Sequence, residues 1–199
     1  VVIGKILRSL FFRQYRQENL TMALSLDHIH TTNRLGWLAS FWGFTGFIAI
    51  LVIALIKLTA IAIDSFNYSF SALHWLALIV NSVFMAYSEG YKGFQKGYSP
   101  RLAARLNYLH HHANLLTTLL APLFCMGFFA APKKRIITSV LLTVMIVLFI
   151  LFFQLIPQPW RGILDIGVVI GLSWGLVATV FFCYQAFINP AACVDAEVV

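Results

Sequence analysis

Apolar residues in this chain come in long runs, without the two-residue alternation of strands or the narrow stripe of a soluble amphipathic helix. The hydrocarbon core of a bilayer, about 30 Å thick, takes roughly 20 such residues in a helix. Five stretches come close to or exceed that length: Leu35 to Ile56, with apolar residues resuming as far as Ile63, then Ser71 to Ser88, Leu106 to Ala130, Ile136 to Leu155, and Ile163 to Phe187. The segments between them are short. The pattern predicts an all-α, polytopic integral membrane protein with five transmembrane helices.

Ahead of these runs, Ile3, Leu7, Leu10 and Phe11 recur at helical spacing while Lys5, Arg8, Arg13 and Arg16 fall mostly on other faces. Such a segment is expected to lie in the membrane interface as a basic amphipathic helix. Charge every few positions breaks up its apolar residues, so it is not expected to be a secretory signal. The chain divides into an interfacial segment over 1–34, a five-helix transmembrane domain over 35–187 and a short tail over 188–199.

Composition agrees. Hydrophobic residues make up 60% and charged residues 11%, where soluble proteins carry roughly a quarter charged. The net charge of +7 does not signal nucleic acid, because Lys and Arg sit in short segments flanking apolar runs, where anionic headgroups account for them. Membrane lipids are the expected partners, along with other membrane subunits or a second copy. Of the three cysteines, Cys125 and Cys183 lie inside apolar runs and Cys193 in the tail, which makes no disulfide framework.

Basic residues are retained on the cytoplasmic side. With five crossings and the amino terminus inside, Lys5, Arg8, Arg13, Arg16, Arg34, Lys92, Lys96, Arg101, Arg105 and Arg161 fall inside, against Lys133, Lys134 and Arg135 outside. This predicts a bacterial-type inner-membrane protein with its amino terminus cytoplasmic and its carboxyl terminus outside. The misfit is the APKKR turn. Were it cytoplasmic, 106–130 would have to be a re-entrant hairpin, bent at Pro122.

Candidate chemistry is carried by polar residues inside these runs. His74, Asn81 and Ser88 repeat every seven residues, with Glu89 at the edge of their stripe. His110 shares a helical face with Asn114 and Thr117. Two polar seams result, and polar side chains at membrane depth face the bundle or water because lipid penalises them. The bland reading is interhelical hydrogen bonding, at about 0.6–2 kcal/mol each; the sharper one is a proton or ion pathway. The glycine-rich stretch 88–101 matches no phosphate-binding motif and reads as a loop, with Ser99 and Pro100 starting the next helix.

On the inner side the five-crossing topology gathers Asp27, His28, His30, Glu89, His110, His111 and Asp165. Carboxylates and imidazoles of this kind suit zinc, iron or manganese, yet their spacing matches no strong ligand signature. Arg161, four residues before Asp165, is expected to pair with it instead. Haem is not expected, since His74 and His110 lie near opposite faces. Gly167, Gly171 and Gly175 form a doubled GxxxG, a site of close helix packing that serves either the protein's own bundle or a neighbouring subunit.

Together these features describe a small integral membrane subunit of a larger assembly, acting as an oligomeric transport or ion/proton pathway component. The competing reading is a metal-dependent membrane enzyme with its site at the cytoplasmic interface. No catalytic residue is assigned.

Overall fold

The computed structural model describes residues 34–189, 194 and 196–198. The amphipathic amino-terminal segment, and with it Asp27, His28 and His30, lies outside the described residues. Among the described residues the long elements are all helices, with no strand. Three helices are long and apolar enough to cross a membrane: α1 (Arg34–Asn67, closing in a 3-10 turn over Ser65–Asn67), α6 (Lys133–Phe153) and α7 (Trp160–Ile188). Between α1 and α6 come α2 (Ala72–Met85), a π-helical segment (Ala86–Tyr98), α3 (Ser99–His111), and the short helices α4 (Leu115–Leu119) and α5 (Ala121–Cys125).

Two sequence expectations are corrected here. The stretch 88–101 is helical, not a loop; α3 does begin at Ser99–Pro100, but with no break before it and no side-chain cap, so that α2, the π segment and α3 form one rod from Ala72 to His111. Wider turns bring each carbonyl near the residue five positions on. Gly93 and Gly97 occupy such positions, where a Cβ would stand 3.4 Å from the Ser88 oxygen and 3.2 Å from that of Lys92. Pro100, which has no N–H to give, sits at the change from π to α geometry.

Nor is 106–130 a single helix. It breaks after His111 and resumes at Asn114, whose backbone N–H donates to Thr117 Oγ1 at 2.8 Å, and it breaks again at Leu120, just ahead of Pro122.

The rod is the centre of a three-helix bundle. α1 runs antiparallel to it: Gly36 lies against the His110 backbone, Ser40 Oγ donates to Leu106 O at 3.0 Å, and Phe47 stacks on Tyr98 at 5.2 Å. α7 runs parallel to it: His74 meets Trp160 at 4.7 Å, Ser99 Oγ lies 2.9 Å from Thr179 Oγ1, and His110 meets Phe187 at 6.1 Å.

The glycine groove of α7 faces inward, so of its two expected uses it serves packing within the chain and not a docking face for another subunit. Gly167, Gly171 and Gly175 are buried within the chain, under Asn81 and Met85, Glu89, and Phe94 respectively. Gly90 in turn receives Trp174, whose Cβ would stand 2.9 Å from an added methyl. The rod presents Glu89, Phe94 and Ser99 at five-residue steps to Gly171, Gly175 and Thr179 at four-residue steps. A π-helix, bonded i to i+5, brings every fifth residue to one face; its wider turns keep the two helices in register.

By contrast α6 buries no residue, and its whole run from Val140 to Phe152 is exposed. Its large apolar side chains suit a lipid surface.

Gly175→Leu should therefore destabilise the single chain, by about 1–3 kcal/mol for overpacking. The melting temperature in detergent should fall well below that of Val177→Leu on the exposed face, and equal melting of the two variants would contradict the packing.

Candidate functional site in the seam between two helices

Glu89 lies in the first turn of the π segment, and the glycines of α7 make the niche it occupies. A Cβ at position 171 would stand 2.9 Å from Glu89 Oε2 and 3.2 Å from its Cβ. Oε2 is buried and makes no hydrogen bond. Gly171 is near the middle of the 29-residue α7, so the carboxyl group sits at mid-depth in the bundle.

Other polar groups line the same seam. Asn81 Nδ2 donates to the Ile163 oxygen at 2.9 Å and the Leu164 oxygen at 3.4 Å. Toward the other end, Trp174 Nε1 donates to Gln95 Oε1 at 2.8 Å, and Ser99 pairs with Thr179. Of the expected polar stripe, Asn81 and Glu89 thus face α7. Ser88 does not join them, because its hydroxyl donates to the Phe84 oxygen of its own helix at 2.7 Å.

His74 is absorbed in starting α2: its Nδ1 accepts from the Ser71 N–H at 3.1 Å, and its ring packs on Trp160. The second seam dissolves, since the break after His111 puts Asn114 and Thr117 into the cap of α4, where Thr117 Oγ1 donates to Asn114 O at 2.9 Å. His110 stays at the far end of the rod between Trp37, His111 and Phe187, its Nδ1 buried without a hydrogen bond. His112 stacks on Tyr108 at 4.5 Å and is exposed.

Among the described residues the metal-type set is not brought together. Glu89 and His110 share one rod, and their contacts on α7, Gly171 and Phe187, lie 16 residues apart, about 24 Å at 1.5 Å per residue. Asp165 is buried near the opposite end of α7 from His110 and forms the expected pair with Arg161, Nε to Oδ2 at 3.8 Å. Among the described residues no three His, Cys, Asp or Glu side chains group as metal ligands.

Arg105 is the residue that sequence reasoning missed. It is only 2% exposed, and it donates through Nη1 to the oxygens of Phe124 (2.7 Å) and Phe129 (3.4 Å) and through Nη2 to those of Ala130 and Glu197 (3.0 Å each). Its guanidinium also lies 5.0 Å from the Phe124 ring centre. A buried charge persists only where it is paired or hydrogen-bonded; these carbonyls do that, and in exchange the arginine ties 124–130 to α3. The available signal was local: Arg105 sits among the apolar Leu102, Ala103, Ala104, Leu106 and Leu109, all of which the structure buries.

No protein-family model, curated protein or solved structure matches the chain.

Removing the guanidinium should loosen this segment. In a background with Cys183→Ser and Cys193→Ser, Arg105→Met should make the buried Cys125 thiol react with maleimide at least about tenfold faster, the gain expected if opening becomes easier by one hydrogen bond of about 1.4 kcal/mol. An unchanged rate would show that Arg105 does not hold the hairpin shut.

Proposed function

We propose that the protein is a small integral membrane component of a larger proton- or ion-handling assembly, and that Glu89 is its proton-exchanging group. One observation carries this reading: a carboxyl oxygen buried at mid-depth between two helices, without a hydrogen bond. An ionised carboxylate so placed is costly, and taking up a proton removes the charge. Ionisable groups inside membranes mark ion and proton paths, and π turns recur at functional sites because they re-aim side chains.

Asn81 and the Ser99–Thr179 pair extend polarity along the seam on either side of Glu89. The unpacked α6 supports the assembly part of the reading, since it has apolar surface on every face to give to lipid or to a second chain. Basic residues gather at the end where α1 starts and α7 finishes, which favours that end as the cytoplasmic one of a bacterial-type inner membrane.

The test uses the protein extracted in gentle detergent with whatever subunits accompany it, reconstituted into liposomes. Glu89→Gln should cut pH-driven flux by about 100-fold or more, the scale of losing a proton-transfer group. It should also remove a carboxyl C=O band that responds to pH in infrared difference spectra. Asp64→Asn, at an exposed position, should do neither. Parental flux and an unchanged band in Glu89→Gln would refute the assignment.

A further inference from the structure

The geometry points to a four-crossing topology in which residues 112–132 enter one leaflet and return to the surface they came from, resting exposed leucines on its acyl chains. The helical pieces in this segment, α4 and α5, have five residues each, whereas a crossing takes about 20.

Contacts with α1 give the depth of the excursion. The rod ends at His110 beside Gly36; Ala121 and Cys125 lie against Gly43, and Pro122 lies against Gly46. Ten residues of α1 separate the first contact from the last, about 15 Å along the axis and half of a hydrocarbon core. The chain then turns back, because Phe129 and Ala130 offer their carbonyls to Arg105, only five residues from His110 on the rod. α6 starts at this same end: Ser139 Oγ donates to Met126 O at 3.0 Å, and the Arg135 side chain approaches Gly127. α6 therefore runs away from the His110 end, α7 returns from the His74–Trp160 end, and both described ends of the chain lie on one side.

The surface of the hairpin fits acyl chains. Leu115 is 82% exposed and Leu116 and Leu119 73% each, with Phe41 and Trp42 exposed beside them on α1. Trp42 Nε1 reaches the Leu119 oxygen at 3.4 Å. Non-helical backbone at depth must find its partners inside the protein, and Arg105 serves three carbonyls of the hairpin. Arg34, Arg101, Lys133, Lys134 and Arg135 fall at the same end as the buried Arg105, so the APKKR turn joins this basic cluster, as anionic headgroups favour, while Lys57 and Arg161 lie toward the other end. This inference stands independently of any role for Glu89.

Single cysteines in a cysteine-free background of the full chain, labelled in sealed vesicles with a membrane-impermeant maleimide, decide the topology. Lys134→Cys should label from the same side as Arg34→Cys, and Gln158→Cys from the same side as Asn67→Cys. Lys134→Cys labelling together with Asn67→Cys would mean that 112–132 crosses, and would overturn the inference. For the lipid contact, a bimane fluorophore on Leu116→Cys or Leu119→Cys should be quenched by spin-labelled acyl chains and not by aqueous iodide. The reverse pattern at both positions would place the leucines in water or under another protein.

Discussion

The structure depends on how closely α7 approaches the rod from Ala72 to His111. In lipid no hydrophobic force draws helices together, so contact rests on dispersion, close backbone approach and interhelical hydrogen bonds. A glycine every fourth residue on α7 makes the approach possible, and the π segment turns Glu89, Phe94 and Ser99 onto the line where α7 can receive them. The same fit that joins the helices buries a carboxyl oxygen of Glu89 without a hydrogen bond, which ties the candidate chemistry to the packing.

A second constraint acts at the His110 end. Backbone that is neither helix nor strand must still satisfy its carbonyls, and the cost of leaving them bare rises in a medium without water. Arg105 answers both halves of the problem, since burying its charge requires acceptors and the hairpin's carbonyls require donors. The two ends of the rod thus differ in character: the His74 end is closed by aromatic packing on Trp160, the His110 end by a cation among carbonyls.

How legible this was in the sequence varied with the range of the interaction. Membrane character, the apolar spans of α1, α6 and α7, and the Arg161–Asp165 pair follow from composition and local spacing, and they stand in the structure. Glu89 was visible as a charge at the edge of a polar stripe. What was not visible was direction. Three glycines in Gly90–Gly97 read as a loop because the wider turns that use them are rare, and the GxxxG of α7 left internal and intersubunit packing open because a sequence does not show which helix fills a groove. The gathering of Glu89, His110 and Asp165 failed for the same reason: it assumed that the helix ended at Ser88, whereas its continuation carries His110 about 24 Å away. Arg105 stayed hidden because its acceptors lie 19 to 92 residues further along the chain.

The most direct measurement of the central claim is disulfide trapping between Ser99→Cys and Thr179→Cys, with the native cysteines replaced. Their hydroxyls are 2.9 Å apart across the seam, so mild oxidation should give a fast, quantitative link within one chain, seen as a compact monomer band. Slow or absent linkage, or linkage only between two chains, would contradict the parallel, glycine-seated pairing of α7 with the rod.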